Sequence, residues 1–335
     1  MRVLVTGANG FVGSALIRRL AAQTEVPPVA AVRRFSCVGP DAFYFGVGVG
    51  DGAVQWMELG DMAVAEIPSG LLDGVDVVVH CAARVHVMTE RDTDPLAAFR
   101  AVNLAGTLNL ARSAVRAGAK RFVFLSSVKV HGESTSLGRP FTADTALRPA
   151  DPYAVSKMEA ERALRELSAE TGLELVIVRP PLVYGPGVKA NFLNMMRWLS
   201  KGIPLPLGAL DNRRSLVALD NLVDLLMVCL NHPDAVGQAF LVSDGEDLST
   251  TELLRRLGGV LGKPARLIPV PPALLQSAGA LFGKRAVVDR VCGSLQVDIT
   301  QTTSLLGWRP PVPVDSALES TAAAFKAGLP RKTIA

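Results

Sequence analysis

The stretch "DPYAVSKMEAE" (151–161) sets Tyr153 and Lys157 four residues apart, directly after an Asp-Pro pair. Asp151 and Pro152 fit the N-cap and first position of a helix, so the tyrosine and the lysine fall on one face, a turn apart. A phenol near pKa 10 is a poor base at neutral pH, and an ammonium beside it favours the phenolate. Alone, such a pair reads better as a solvated helical turn. A second feature supplies context: the apolar run "KRFVFL" ends in Ser126 and Ser127. A hydroxyl at the carboxyl end of a parallel strand stands where open α/β sheets bind ligands. Ser127, Tyr153 and Lys157 together form a set able to move a proton on or off a carbinol or carbonyl oxygen.

The amino terminus offers a partner for that chemistry. "VLVTGANGFVGSALIRRL" places Gly7, Gly10 and Gly13 at three-residue intervals between an apolar strand and a helix. Glycine there permits a tight turn, lets backbone N–H groups approach a pyrophosphate and allows close helix–strand packing, with Phe11 and Val12 at the helix start against the same ligand. Dinucleotide binding is the expectation, and a cationic nicotinamide near Tyr153 would further favour its phenolate. After the second strand, where an acidic residue would bond the ribose of NAD, the sequence has "AAVRRFS". Arg33 and Arg34 can pair with a 2′-phosphate, which favours NADP(H) over NAD(H). Two solvated arginines after a strand are the alternative.

These residues need a scaffold. Short β-branched runs ("RVLVTG", "PVAAVRR", "VDVVVHCAA", "KRFVFLSS", "LELVIVRPPLVYG") alternate with helical periodicity through the first half. Continuous apolar strands in βαβ rhythm predict an α/β fold, a Rossmann-type doubly wound parallel sheet reaching to about residue 185. Prolines and glycines then become denser and the elements shorter, which predicts a smaller mixed α/β substrate-binding lobe in the carboxyl half. The expected boundaries are 1–185 for the dinucleotide-binding domain, with 215–245 rejoining it, and 186–214 plus 246–330 for the lobe.

With 335 residues, 49% apolar and 20% charged, the chain can bury a large core. Its net charge of +4 comes with arginine pairs rather than long runs, which suits small phosphorylated ligands and weighs against nucleic acid. The four cysteines are far apart and form no CxxC, so neither a disulfide framework nor a metal site is expected. Cys37, Cys81, Cys229 and Cys292 read as buried thiols of a reducing compartment. The chain opens on a strand and a glycine turn rather than an apolar signal segment, so a cytoplasmic location is expected. "LIPVPPALLQSAGALFG" (267–283) falls short of the roughly 20 residues that span a bilayer. It reads as a buried or interface helix rather than a membrane-surface contact, and no membrane insertion is expected.

In combination and order, the glycine turn, "NLAGT", "FLSSVKVHG", "YAVSK" and "RPPLVYGPG" resemble the extended short-chain dehydrogenase/reductase family, in its nucleotide-sugar epimerase/dehydratase/reductase branch. The resemblance covers nearly the whole chain and implies an NAD(P)-dependent enzyme. It implies that Ser127 bonds the substrate C4 oxygen, that Tyr153 is the general acid/base, and that Lys157 is its partner and bonds the nicotinamide ribose. It places Ala82, Ala83 and Arg84 along the nicotinamide ribose and substrate, and Asp61 against the adenine. Asn103 would support the cofactor, or simply pack its helix. Asn191 and Arg214 would hold the nucleotide diphosphate, a task that suits the guanidinium fork. The resemblance further implies a UDP-sugar substrate and a homodimer through the helix bearing Tyr153 and its neighbour.

Departures from the family pattern narrow the reaction. Dehydrating relatives carry an Asp-Glu pair after the catalytic serine, where this chain has Val128 and Lys129, so a 4,6-dehydratase is not expected. His131 stands where a tyrosine is usual and suits packing or bridging better than a second acid. Leu182 stands where an asparagine is usual, which departs from the galactose epimerases in hexose recognition. The leading expectation is NADPH-dependent reduction of a UDP-4-keto-6-deoxy-N-acetylhexosamine at C4, in surface polysaccharide sugar biosynthesis. The alternative is a UDP-hexose or UDP-N-acetylhexosamine 4-epimerase with the same residues. A distant third is a cofactor-sensing protein, which would not need the tyrosine and lysine that this chain keeps.

Overall fold

The computed structural model describes residues 1–37, 53–64, 67–68, 70–85 and 94–328. The ten strands among these described residues are β1 (Val3–Thr6), β2 (Val29–Val32), β3 (Gln55–Glu58), β4 (Val77–His80), β5 (Arg121–Leu125), β6 (Glu174–Arg179), β7 (Leu182–Tyr184), β8 (Arg214–Ala218), β9 (Ala239–Leu241) and β10 (Asp247–Leu248). Seven of them form a parallel sheet in the order β3-β2-β1-β4-β5-β6-β9. This is the expected doubly wound α/β architecture. The order reverses between β1 and β4, the place where open sheets of this kind hold ligands beyond the carboxyl ends of their strands.

Why these runs form inner strands is plain from their burial. Val3–Thr6, Val29–Val32 and Val77–His80 are buried at every position, as β-branched residues must be when helices cover both faces. Helices α1 (Phe11–Gln23), α6 (Leu219–Cys229) and α10 (Thr300–Leu306) supply one apolar layer. On the other face lie α3 (Thr107–Arg116) and α4 (Pro152–Thr171), where Leu110, Leu164, Phe122 and Phe124 are fully buried. Each such side chain contributes about 1.5–3 kcal/mol of burial.

Before α3 the chain runs as α2 (Pro95–Arg100) and then as a π-helical segment, Ala101–Gly106. Helix α4 begins as the sequence dictates: Asp151 Oδ1 accepts the Ala154 N–H at 2.7 Å, Pro152 fills the first turn, and Gly172 closes the helix at φ 75°.

The chain leaves the main sheet at Arg179, before the expected 185, and returns to it only with β9. Pro180 and Pro181 bring no N–H to a ladder, so β7 leaves and pairs with β8 in a second, mixed sheet ordered β10-β8-β7. Of the stretch expected to rejoin the main sheet, β8 lies in this small sheet and β9 beside β6. The lobe packs on α5 (Ala190–Ser200), α7 (Thr250–Val260) and α11 (Val314–Ala327). Helices α8 (Pro272–Leu281) and α9 (Arg285–Cys292) form a hairpin beyond it. Residues 272–281, expected to be buried or at an interface, are mostly exposed here.

Candidate active site

The glycine turn follows β1 and faces the end of β4. Gly7 sits at φ +65°, and a methyl on it would lie 2.9 Å from the Ala82 nitrogen. Gly10 donates its N–H to the Gly7 carbonyl at 2.8 Å, and a methyl on Gly13 would stand 2.2 Å from that same oxygen. Gly7 and Gly13 therefore exclude a side chain, and a methyl on Gly10 would press on the Gly7 oxygen at 3.0 Å. Gly10 opens α1 without a side-chain cap, and Phe11 and Val12 at its start are half-buried. A bare helix amino terminus beside a side-chain-free turn fits a dinucleotide pyrophosphate.

At the far end of that ligand's expected path, Arg33 and Arg34 are exposed just beyond β2. Glu58, which no motif singled out, ends β3 opposite Val32 and accepts the Phe35 N–H at 2.8 Å. Asp61 is half-buried and accepts the Ala63 N–H at 3.1 Å.

The loop after β4 is fixed by a chain of directed hydrogen bonds. Ala82 N–H donates to Thr6 Oγ1 (3.2 Å), and Thr107 Oγ1 donates to the Asn103 carbonyl (2.8 Å). His80 lies between the two hydroxyls, with Nδ1 2.7 Å from Thr6 and Nε2 3.0 Å from Thr107. Since Thr6 receives one proton and Thr107 gives one away, His80 accepts at Nδ1 and donates at Nε2, a neutral tautomer. Burial, and then the Lys157 charge, hold its pKa down to about 3.

Asn103, in the π-helical segment, binds both sides of the same loop. Its Oδ1 accepts Arg84 N–H at 2.8 Å, and its Nδ2 donates to the Arg84 carbonyl and to Ser156 Oγ, each at 3.0 Å. Ser156 in turn donates to the Tyr153 carbonyl at 2.7 Å. Ala83 and Arg84 are half-buried, and the Arg84 guanidinium stands 5.5 Å over the Phe99 ring.

Tyr153 and Ser127 meet through a side-chain hydrogen bond at the rim of β5. Lys157 is fully buried beneath them; its Nζ donates to the Leu125 carbonyl at 2.8 Å and lies 4.4 Å from the Phe124 ring centre. The expected acidification of the phenol by this ammonium is not seen here. Burial and the Asp151 charge push Tyr153 well above its ordinary value, and the bond from Ser127 pulls it back. Burial pushes Lys157 down to about 8, against the opposing pull of Cys81 and Glu161.

Around the triad lies a buried ionic cluster. Ser126 donates to Glu161 at 2.5 Å, and Glu161 is bound at both oxygens by Arg179, at 2.6 and 3.0 Å. Arg179 also donates to His131 Nε2 at 3.1 Å, while His131 Nδ1 donates to the Thr145 carbonyl at 2.9 Å. His131 is thus neutral and bridging; burial, then Arg179, lower it to about 4. Val128 is buried, and Lys129 pairs with Asp151 at 2.5 Å and Glu133 at 3.0 Å.

Of the two residues expected at the diphosphate, Asn191 is exposed at the start of α5, directly after Ala190, the one non-glycine at positive φ (53°) among the described residues. Strain of this kind concentrates at binding sites. Arg214 is half-buried, its Nη1 donating to the carbonyls of Arg290 (2.7 Å) and Gly293 (3.0 Å). Arg290 escaped the sequence reading. Its charge helps lower Arg214, after burial, and its own guanidinium lies 4.0 Å from Glu133.

Residues 3–243 match the NAD dependent epimerase/dehydratase family. A UDP-glucose 4-epimerase of Vibrio cholerae is 46% identical, over 96% of this chain and 95% of its own. A GDP-6-deoxy-D-mannose reductase of Pseudomonas aeruginosa is 26% identical, over 95% and 93%. Among solved structures, the dTDP-glucose 4,6-dehydratase DesIV of Streptomyces venezuelae, with NAD bound, superposes with a TM-score of 0.78 at 26% identity over 98% of each chain. The chain belongs to the NAD-dependent epimerase/dehydratase family, an extended short-chain dehydrogenase/reductase, and is an enzyme.

Proposed function

We propose that the enzyme is a UDP-sugar 4-epimerase acting on UDP-hexoses or UDP-N-acetylhexosamines. The observation that carries the reading is the meeting of the Ser127 and Tyr153 hydroxyls above the buried Lys157 ammonium, beside the glycine turn. The V. cholerae relative's name supports epimerisation over reduction, which reverses the order of the expectations drawn from the sequence.

Gly7, Gly10, Gly13 and the start of α1 would hold the dinucleotide, whose nicotinamide supplies hydride acceptance and return at C4. Tyr153 in its phenolate form would take the proton of the C4 hydroxyl and later give it back, while Ser127 holds the oxygen. Lys157 places a positive charge beneath the phenolate as it forms. Asn103 keeps the Arg84 loop and the Tyr153 turn in one register, which limits movement of the phenol during the two proton transfers. Arg214 and Arg290 would clamp the UDP diphosphate. Lys129 stands where dehydration would need a carboxylate base, and an ammonium paired to Asp151 cannot remove a proton from C5.

A second reading, reduction of a UDP-4-keto-6-deoxy-N-acetylhexosamine, is favoured by Arg33 and Arg34, exposed where a 2′-phosphate would lie. One experiment separates the two. Purified enzyme given UDP-glucose or UDP-N-acetylglucosamine without added cofactor is expected to form the galacto isomer, followed by NMR of the anomeric proton. No isomer, with NADPH consumed by the 4-keto sugar, moves the assignment to the reductase. Inertness in both assays overturns C4 chemistry altogether.

A further inference from the structure

One part of the carboxyl half keeps its apolar side chains in the open. After Pro271, α8 runs outward to Phe282 and the chain returns as α9; Gly279 lets the helices touch, since a methyl there would lie 2.7 Å from Val288 Cγ2. The opposite side of α8 and the turn are bare: Leu274 is 61% exposed, Leu281 81%, Phe282 73% and Val287 of α9 59%. Leu274 and Leu281 lie two turns apart on one helical face. Lys284 and Arg285 stand exposed in the same turn. Between Arg266 and Cys292 the segment carries four cations and a single acid, Asp289, which pairs with Arg285 at 3.6 Å.

A leucine and a phenylalanine at the tip of a hairpin are unfavourable in water, and the adjoining cations say what covers them. A bilayer interface satisfies both at once, taking apolar groups at the boundary of the acyl chains and basic groups at the lipid phosphates. Among the described residues no helix is long and apolar enough to cross a membrane, so the contact is peripheral. We propose that the α8–α9 hairpin docks the protein on an anionic membrane surface, with Leu281 and Phe282 entering the interface and Lys284 and Arg285 pairing with lipid phosphates. The surface is continuous with the substrate side. Five residues of helix, roughly 8 Å, separate Arg285 from Arg290, whose carbonyl receives Arg214.

The test uses the full-length protein and vesicles of phosphatidylethanolamine with phosphatidylglycerol, against vesicles of phosphatidylcholine alone. Wild type is expected to sediment with the anionic vesicles only, and less so as salt rises. The double variant L281E/F282E is expected to lose at least about tenfold in vesicle affinity. K284E/R285E is expected to lose the preference for anionic lipid, and both variants to keep wild-type turnover on soluble UDP-sugar, which separates docking from the reaction. Wild type remaining in the supernatant overturns the proposal. So does sedimentation equilibrium showing a wild-type dimer that L281E/F282E dissociates, because a second copy of the chain would then cover this face.

Discussion

Tyr153 and Tyr184 are the same side chain in two opposed settings. Tyr184, in the small lobe, is wholly buried, stacks on Phe192 at 5.4 Å and donates to Asp244 at 2.8 Å. Asp244 also takes the Ala218 N–H and the Asn221 amide, so the phenol proton is fixed between partners that have no use for it elsewhere. Burial pushes Tyr184 up, and the Asp244 charge adds to it. Tyr153 is pushed up by burial too, but its partner is a serine hydroxyl, which can give as well as receive. The difference teaches that a tyrosine is made reactive by what stands beside it. A carboxylate acceptor holds the proton still; on the proposed function, a hydroxyl partner leaves it transferable.

The largest break in this contrast should come from Tyr153→Phe, with a fall in turnover of about a thousandfold while circular dichroism stays native. Loss of less than tenfold would remove Tyr153 from the chemistry. Next, Asn103→Ala leaves the Arg84 N–H and carbonyl without their partner and should cost about 1–3 kcal/mol in urea unfolding, with turnover reduced as the Tyr153 turn loosens. Unfolding against pH sharpens the picture around the triad. His80 and His131 are neutral in the fold, held down to about 3 and about 4, whereas the unfolded chain binds protons near 6.5. Their stabilisation is therefore present above about pH 6.5 and lost as pH falls towards 4, and a midpoint independent of pH in that window would contradict the neutral, buried histidines. The smallest effect is expected from Tyr184→Phe: about 1 kcal/mol of stability and turnover within about twofold of wild type. A large loss of turnover there would erase the distinction between the two tyrosines.

Much of this arrangement was legible beforehand, for reasons that lie in local chemistry. The glycine turn announces itself because three closely spaced positions leave little or no room for a side chain, and α4 because Asp151, Pro152 and Gly172 are start and stop signals. Long-range geometry was not legible. "LELVIVRPPLVYG" reads as one apolar run, and only the ladder shows that Pro180 and Pro181 divide it between two sheets. The Thr6–His80–Thr107 chain joins three elements far apart in sequence, so no spacing could reveal it. Arg290 becomes visible only beside Arg214. The apolar period of 272–281 predicts a helix with an apolar side, but a period says nothing about whether another element covers that side.

Pro180 and Pro181 have a mechanical consequence. Ser126 N–H bonds the Val178 carbonyl within β6 and Val128 N–H bonds the Pro180 carbonyl at the joint, at 2.8 and 3.0 Å, so the backbone flanking Ser127 is stitched up to the point where the two sheets part. Any turn of the small lobe about that joint would therefore pull directly on the backbone beside Ser127.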